Sequence, residues 1–253
     1  MSKRLFFLSL FIPLLASPIL WGQERTVRFY FSMVRIDSTF DAAPPTRVSS
    51  IMAYYQPEME HRMKTVVGYA PQEMRSFRPE SPLSNFAADA LLYVAQQNNR
   101  EPIDFSITNF GGLRTSFPKG EVTLYDVYSV FPFENTLVIL EMEGKDVQEL
   151  FDNFARRGYV EAVGNVAVEI SNRAVDKLMI AGAPFDPGRR YQVATIDFLL
   201  GGGDGVAALK NAVTVKETGI TIRDAVLLYI SMLQSKGKDL DTAIDGRVKM
   251  NTQ

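Results

Sequence analysis

The chain has 253 residues, enough for one large domain or two small ones, and 46% of them are hydrophobic, so a sizeable core is within reach. Lys and Arg number 27 against 29 Asp and Glu, a formal charge of −2 with a pI of about 5.6, which leaves no electrostatic footprint for nucleic acid or anionic lipid. There is no Cys and one His, His61, which excludes disulfides, thiolate nucleophiles and Cys-ligated zinc and leaves imidazole chemistry a single residue to draw on.

The first residues read as an address, not as fold. Lys3 and Arg4 precede an apolar run from Leu5 to Leu15, and Ser17, Pro18 and Gly22 come before polar Gln23 and Glu24. The run is about half of what crosses a bilayer, so residues 1–22 read as a signal peptide, with a short anchor as the alternative. Cleavage near Gly22 would leave an exported protein, periplasmic or extracellular, with no stable membrane insertion.

Val27 to Ile36 is β-branched and aromatic and predicts a strand, and Asp41 to Pro45 a loop. After Thr46, the spacing of Val48, Ile51, Met52, Tyr55 and Met59 predicts an amphipathic helix dented at Pro57, with His61 solvated at its polar end. Residues 23–62 are thus expected to form a strand and helix extension packed on a main domain over residues 63–250. A strand is expected from Lys64 to Tyr69. Ser81-Pro82 then starts a helix with Leu83, Phe86, Ala87, Ala90, Leu91 and Val94 on one face.

Phe105 to Thr108 predicts a short strand, Leu124 to Val130 a short helix capped by Thr123, and Leu137 to Met142 an alternating strand with Glu141 and Glu143 on its solvent side. Gly144 opens a helix that buries Val147, Leu150, Phe151 and Phe154 and that Gly158 stops. Strands near Val166 to Ile170 and Tyr191 to Thr195 follow, then a helix from Arg223 to Leu233. Strands and helices alternate without a regular βαβ period, which predicts an α+β fold: a single domain of mixed β-sheet with packed helices.

Three loops carry residues able to hold a ligand. In Asn109-Phe-Gly-Gly-Leu-Arg114 two glycines, Gly111 and Gly112, permit close backbone approach, beside an amide and a guanidinium; the same pattern is also that of a plain glycine turn with a surface Arg. Gly201-Gly-Gly-Asp-Gly205 is neither a Walker loop nor a dinucleotide fingerprint, and its Asp204 suits either vicinal hydroxyls or a helix cap. Phe133 and Phe198 lie beside loops, where rings either clamp a flat base or fill a core.

Taken together, Ser81-Pro-Leu-Ser-Asn-Phe-Ala-Ala-Asp89, Thr108-Asn-Phe-Gly-Gly-Leu-Arg114, Val130-Phe-Pro-Phe-Glu-Asn-Thr136 and Tyr191-Gln-Val-Ala-Thr-Ile-Asp-Phe-Leu-Leu-Gly-Gly-Gly-Asp-Gly205 resemble, in order and spacing, the signatures of the 5'-nucleotidase C-terminal domain family, over roughly Met63 to Val248. The resemblance implies a nucleotide-recognition domain in which Asn109 bonds the base, Phe133 and Phe198 sandwich it, Asp204 holds the ribose hydroxyls and Arg114 reaches the phosphate. Arg78 is the nearest match to a further family arginine, displaced by about one position by Pro79, and Phe110 and Glu134 stand where relatives commonly have glycine.

The resemblance also implies a two-metal phosphatase domain ahead of this one, where a metal-activated water attacks the phosphate. Residues Gln23 to Met63 are too short for it and carry no metal motif. The expectation is therefore a chain with no catalytic residues, metal or cofactor of its own, inactive alone, binding a nucleoside or nucleotide and working with a separate metallophosphatase subunit that holds the divalent metals. The alternative is a stand-alone nucleoside or nucleotide binder.

Overall fold

The computed structural model describes residues 28–39 and 46–251, so the expected signal peptide, Val27 and the expected loop at 41–45 lie outside the described residues. The chain divides into two units, Met1–Val48 and Ser49–Gln253. In the first, residues 28–36 form no strand, which corrects the expectation for Val27 to Ile36, and side chains such as Phe29, Phe31 and Ile36 are exposed. A strand-like pattern becomes a strand only where a neighbour takes its N–H and C=O groups, and none of the described residues does so here. Helix α1 (Arg47–Met63) forms as its periodicity predicts and runs through Pro57, with none of its residues buried.

The second unit is the expected mixed α+β fold, its strands distributed over three sheets. Strand β1 (Val66–Ala70) pairs antiparallel with β3 (Gly120–Thr123). Between them lie α2 (Pro82–Gln97) and β2 (Phe105–Thr108). A reciprocal cap starts α2: the Ser84 N–H donates to Ser81 Oγ at 3.1 Å, and the Ser81 N–H donates to Ser84 Oγ at 2.9 Å. Thr123 and Asp126 cap α3 (Leu124–Val130) in the same manner. Then come β4 (Thr136–Glu143) and α4 (Gly144–Arg157), which ends on Gly158 in the left-handed region, φ 77°.

The remaining elements are β5 (Ala162–Gly164), β6 (Val166–Ser171), β7 (Ala174–Ile180), β8 (Ala183–Pro184), β9 (Arg190–Ile196), α5 (Asp197–Leu200), β10 (Thr214–Thr221), α6 (Ile222–Ser235) and β11 (Val248–Asn251). The central sheet has the order β10-β4-β9-β2-β5, with β2 and β9 parallel and the other pairs antiparallel. A separate four-stranded sheet has the order β11-β6-β7-β8.

Consecutive residues of β2 show how the core is layered. The Phe105 ring meets Phe151 of α4 at 5.9 Å between centroids, whereas the Ser106 hydroxyl donates to the Ala88 carbonyl of α2 at 2.7 Å. Successive strand side chains point to opposite faces, so α4 and α2 cover the two faces of the central sheet. All four β2 residues are accordingly buried.

An ionic cluster fixes the C-terminal strand. Glu80, buried at 4% exposure, accepts from Asn85 Nδ2 at 2.7 Å and from the Asp245 N–H at 2.8 Å. Arg247 donates to Asp89 at 2.8 Å and to Asp245 at 2.7 Å. Burial alone would lower the Arg247 pKa, but the bonds to these two carboxylates raise it instead.

Candidate functional site

Strand directions bring the three sequence-predicted loops to one rim. Strand β2 ends at Thr108 and leads into a short 3-10 turn, Phe110–Gly112. Its parallel neighbour β9 ends at Ile196 and leads into α5 and the glycine loop. Strand β4 is antiparallel to β9, with Leu137 opposite Ile196, so the residues that precede β4, Phe131 to Asn135, emerge at the same end.

The side chains meet there. Asn109, 5% exposed, donates from Nδ2 to Asp204 Oδ2 at 2.7 Å across 95 positions of sequence, while its buried Oδ1 has no partner among the described residues. A Cβ at position 112 would stand 2.8 Å from that oxygen, so Gly112 is what lets the Asn109 amide lie against the turn. Gly111 borders both Asn109 and Asp204. Arg114 is exposed, donates from Nη1 to the Gly111 carbonyl at 3.4 Å and lies 5.9 Å from the Phe133 ring centre.

Phe133 and Phe198 are 46% and 43% exposed, so neither is a core residue. The Phe198 ring rests on Gly203, where a Cβ would lie 2.4 Å from it. In the glycine loop, Gly202, Asp204 and Gly205 have φ of 85°, 50° and 71°. The loop is glycine-rich because Gly202 and Gly205 take left-handed backbone and Gly203 makes room for a ring, and Asp204 is a non-glycine residue held in the same region. Asp204 caps no helix through its side chain; its partner is Asn109.

Pro79 does not keep Arg78 away. Arg78 lines a cavity of about 340 Å³ with Ser76, Phe77, Phe110, Gly111 and Asp204 among its walls. Sequence reasoning missed the group behind it. Glu161 is fully buried, accepts from the Phe110 N–H at 2.9 Å and from Arg157 Nη2 at 3.2 Å, and faces Arg78 Nη2 at 3.6 Å. Its pKa is raised, by burial first and by the Asp204 charge in addition, against the opposing Phe110 N–H, Arg78 and Arg157. Tyr159 stacks on both arginines, 4.2 Å from Arg78 and 4.1 Å from Arg157. The one signal in the sequence was a lone acid in an apolar stretch, Val160 to Val163.

Elsewhere, Glu141 and Glu143 do not stand free but pair with Arg190 at 2.6 and 2.8 Å. Among the described residues no three His, Asp or Glu side chains come together as a metal site requires. The assembled rim therefore offers an amide, a carboxylate, two guanidiniums and two exposed rings: recognition chemistry for a polar, flat, anionic molecule.

Residues 64–211, more than half of the chain, match the family described as 5'-nucleotidase, C-terminal domain. The chain belongs to that family. It is 26% identical to protein UshA of Escherichia coli over 83% of its own length but only 38% of UshA, and 32% identical to UshA of Yersinia enterocolitica over 56% of its length and 26% of that protein. The fold matches the crystal structure of a 5'-nucleotidase precursor from Thermus thermophilus with a TM-score of 0.69 and 26% identity, covering 83% of this chain and 44% of that one. This domain thus spans about two fifths or less of the curated relatives named here. A cell wall protein of Listeria monocytogenes, Lmo0130, is 27% identical over 69% of the chain and 24% of that protein. Among the described residues no helix is long and apolar enough to cross a membrane.

Proposed function

We propose that this chain is the exported nucleotide-recognition part of a 5'-nucleotidase-type hydrolase in nucleotide catabolism, and that a separate metallophosphatase subunit supplies the divalent metals and the attacking water. The observation that carries the reading is the Asn109–Asp204 hydrogen bond at one rim of the central sheet, on loops that also bring the exposed rings of Phe198, against Gly203, and Phe133, near Arg114, to that rim. In this reading the two rings stack on the base, Asn109 bonds its edge, Asp204 accepts from the ribose hydroxyls, Gly111 and Gly112 allow close approach, and Arg114 and Arg78 take the phosphate. The solved 5'-nucleotidase precursor, of which this chain covers 44%, supports the nucleotidase part of the reading. The export reading draws on the N-terminal sequence and on a cell wall relative.

Calorimetric titration with adenosine and AMP tests the recognition half: the purified chain should bind both. Phosphate release tests the division of labour. The chain with added Mg²⁺, Mn²⁺ or Zn²⁺ should release none from AMP, because a two-metal centre needs several preformed ligands. Metal-dependent release by rigorously purified protein would overturn the reading.

A further inference from the structure

Glu161 belongs to no motif, yet its carboxylate ties the end of α4 to two segments that the proposed site uses. One oxygen accepts from the Phe110 N–H at 2.9 Å and so holds the turn that carries Asn109, Gly111 and Gly112. The other faces Arg157 at 3.2 Å, at the end of α4, and Arg78 at 3.6 Å, in the loop before α2. The Asp204 charge acts on it from the glycine loop, and Tyr159 stacks on both guanidiniums.

The charge arrangement gives this meeting point a purpose. Two guanidiniums on one tyrosine ring repel each other unless an anion lies between them, and Glu161 is the buried anion there. Arg78 is 46% exposed and reaches the cavity, whereas Glu161 is wholly covered, so the acid does not touch a ligand itself. We propose that Glu161 is a positioning residue that, as a carboxylate, aims Arg78 into the cavity and fixes the Asn109 turn against Asp204. This rests on the nucleotide-binding reading of the site.

Protonation would disarm it. A neutral carboxyl group holds two arginines and a backbone N–H poorly, and burial brings that protonation to higher pH than for an ordinary carboxylate. Ligand binding should weaken as the pH falls towards the upper edge of the carboxylate range, while the fold survives, because a raised carboxyl pKa means that the folded state binds the proton more tightly than the unfolded chain does.

The test measures adenosine binding by calorimetry from pH 5 to pH 8, and AMP binding at pH 8, for wild type, Glu161→Gln and Phe198→Ala, with melting temperatures alongside. Adenosine carries no group that titrates in this window. Wild type should bind several-fold more weakly at pH 5 than at pH 8. Glu161→Gln, which keeps the size but not the charge, should bind about tenfold more weakly than wild type at pH 8, with a flat pH profile and a melting temperature no lower than that of wild type. Phe198→Ala should be weaker at every pH but keep the wild-type slope. If Glu161→Gln binds both ligands as wild type does, or keeps the wild-type slope for adenosine, the positioning role is overturned and the nucleotide-binding reading stands. A fall in its melting temperature that accounts for the lost binding would likewise leave Glu161 as mere scaffold. If wild type binds neither adenosine nor AMP, the reading of the site falls and this proposal with it.

Discussion

At Gly203 a single hydrogen atom in place of a methyl group decides where the Phe198 ring can lie. A methyl group at position 203 would stand 2.4 Å from the ring, and because Phe198 is 43% exposed the ring has room to swing away. Gly203→Ala should therefore fold normally yet lose adenosine affinity as Phe198→Ala does, by about 1 to 3 kcal/mol for one stacking ring; unchanged affinity in a titration of both variants would detach the ring from the ligand. Arg114 makes a distinction of another kind. Its contacts are the Gly111 carbonyl and the Phe133 face, so Arg114→Ala should weaken AMP and leave adenosine nearly as it was, checked by comparing the two ligands on the one variant. Residues such as Asn109 and Asp204 were legible in the sequence because they sit in short signatures with glycines around them. Glu161 was not, since what matters about it is burial between segments 51 and 83 residues away, and a lone acid in a chain with 29 of them carries no such label.

Helices proved easier to read than strands, for reasons visible in particular elements. α2 and α4 carry their own caps and apolar stripes, Ser81 with Pro82 in one and Val147, Leu150, Phe151 and Phe154 closed by Gly158 in the other, so local chemistry defines them. β10 was missed because its burial is slight along Thr214 to Lys216 and its order comes from pairing with β4. The pattern from Val27 to Ile36 misled for the converse reason: β-branched and aromatic residues that, over residues 28–36, find no partner strand among the described residues. Long-range ties also explain β11, whose parallel place beside β6 is anchored by Arg247 on Asp89 and Asp245. Arg247→Met should cost roughly 3 kcal/mol in urea unfolding, because Asp89 would be left mostly buried without its cation. At the other extreme, Thr123→Ala removes one cap from α3 and should cost about 1 kcal/mol by the same measurement.

At the scale of the whole molecule, export predicts that the native protein has lost about its first 22 residues, which an intact mass would show; full-length chain held in the membrane pellet would favour the anchor instead. The central sheet carries a further consequence. β9 is laced to β4 by seven residue pairs, from Leu137 opposite Ile196 to Glu143 opposite Arg190, but to β2 by only two, Phe105 with Val193 and Ser106 with Ala194. The Asn109 and Asp204 loops leave from the two sides of that short seam. A ligand gripped by both would lie across it like a stitch, so amide hydrogens of β2 and the start of α5 should exchange with deuterium more slowly when AMP is bound, while those between β4 and β10 keep their pace.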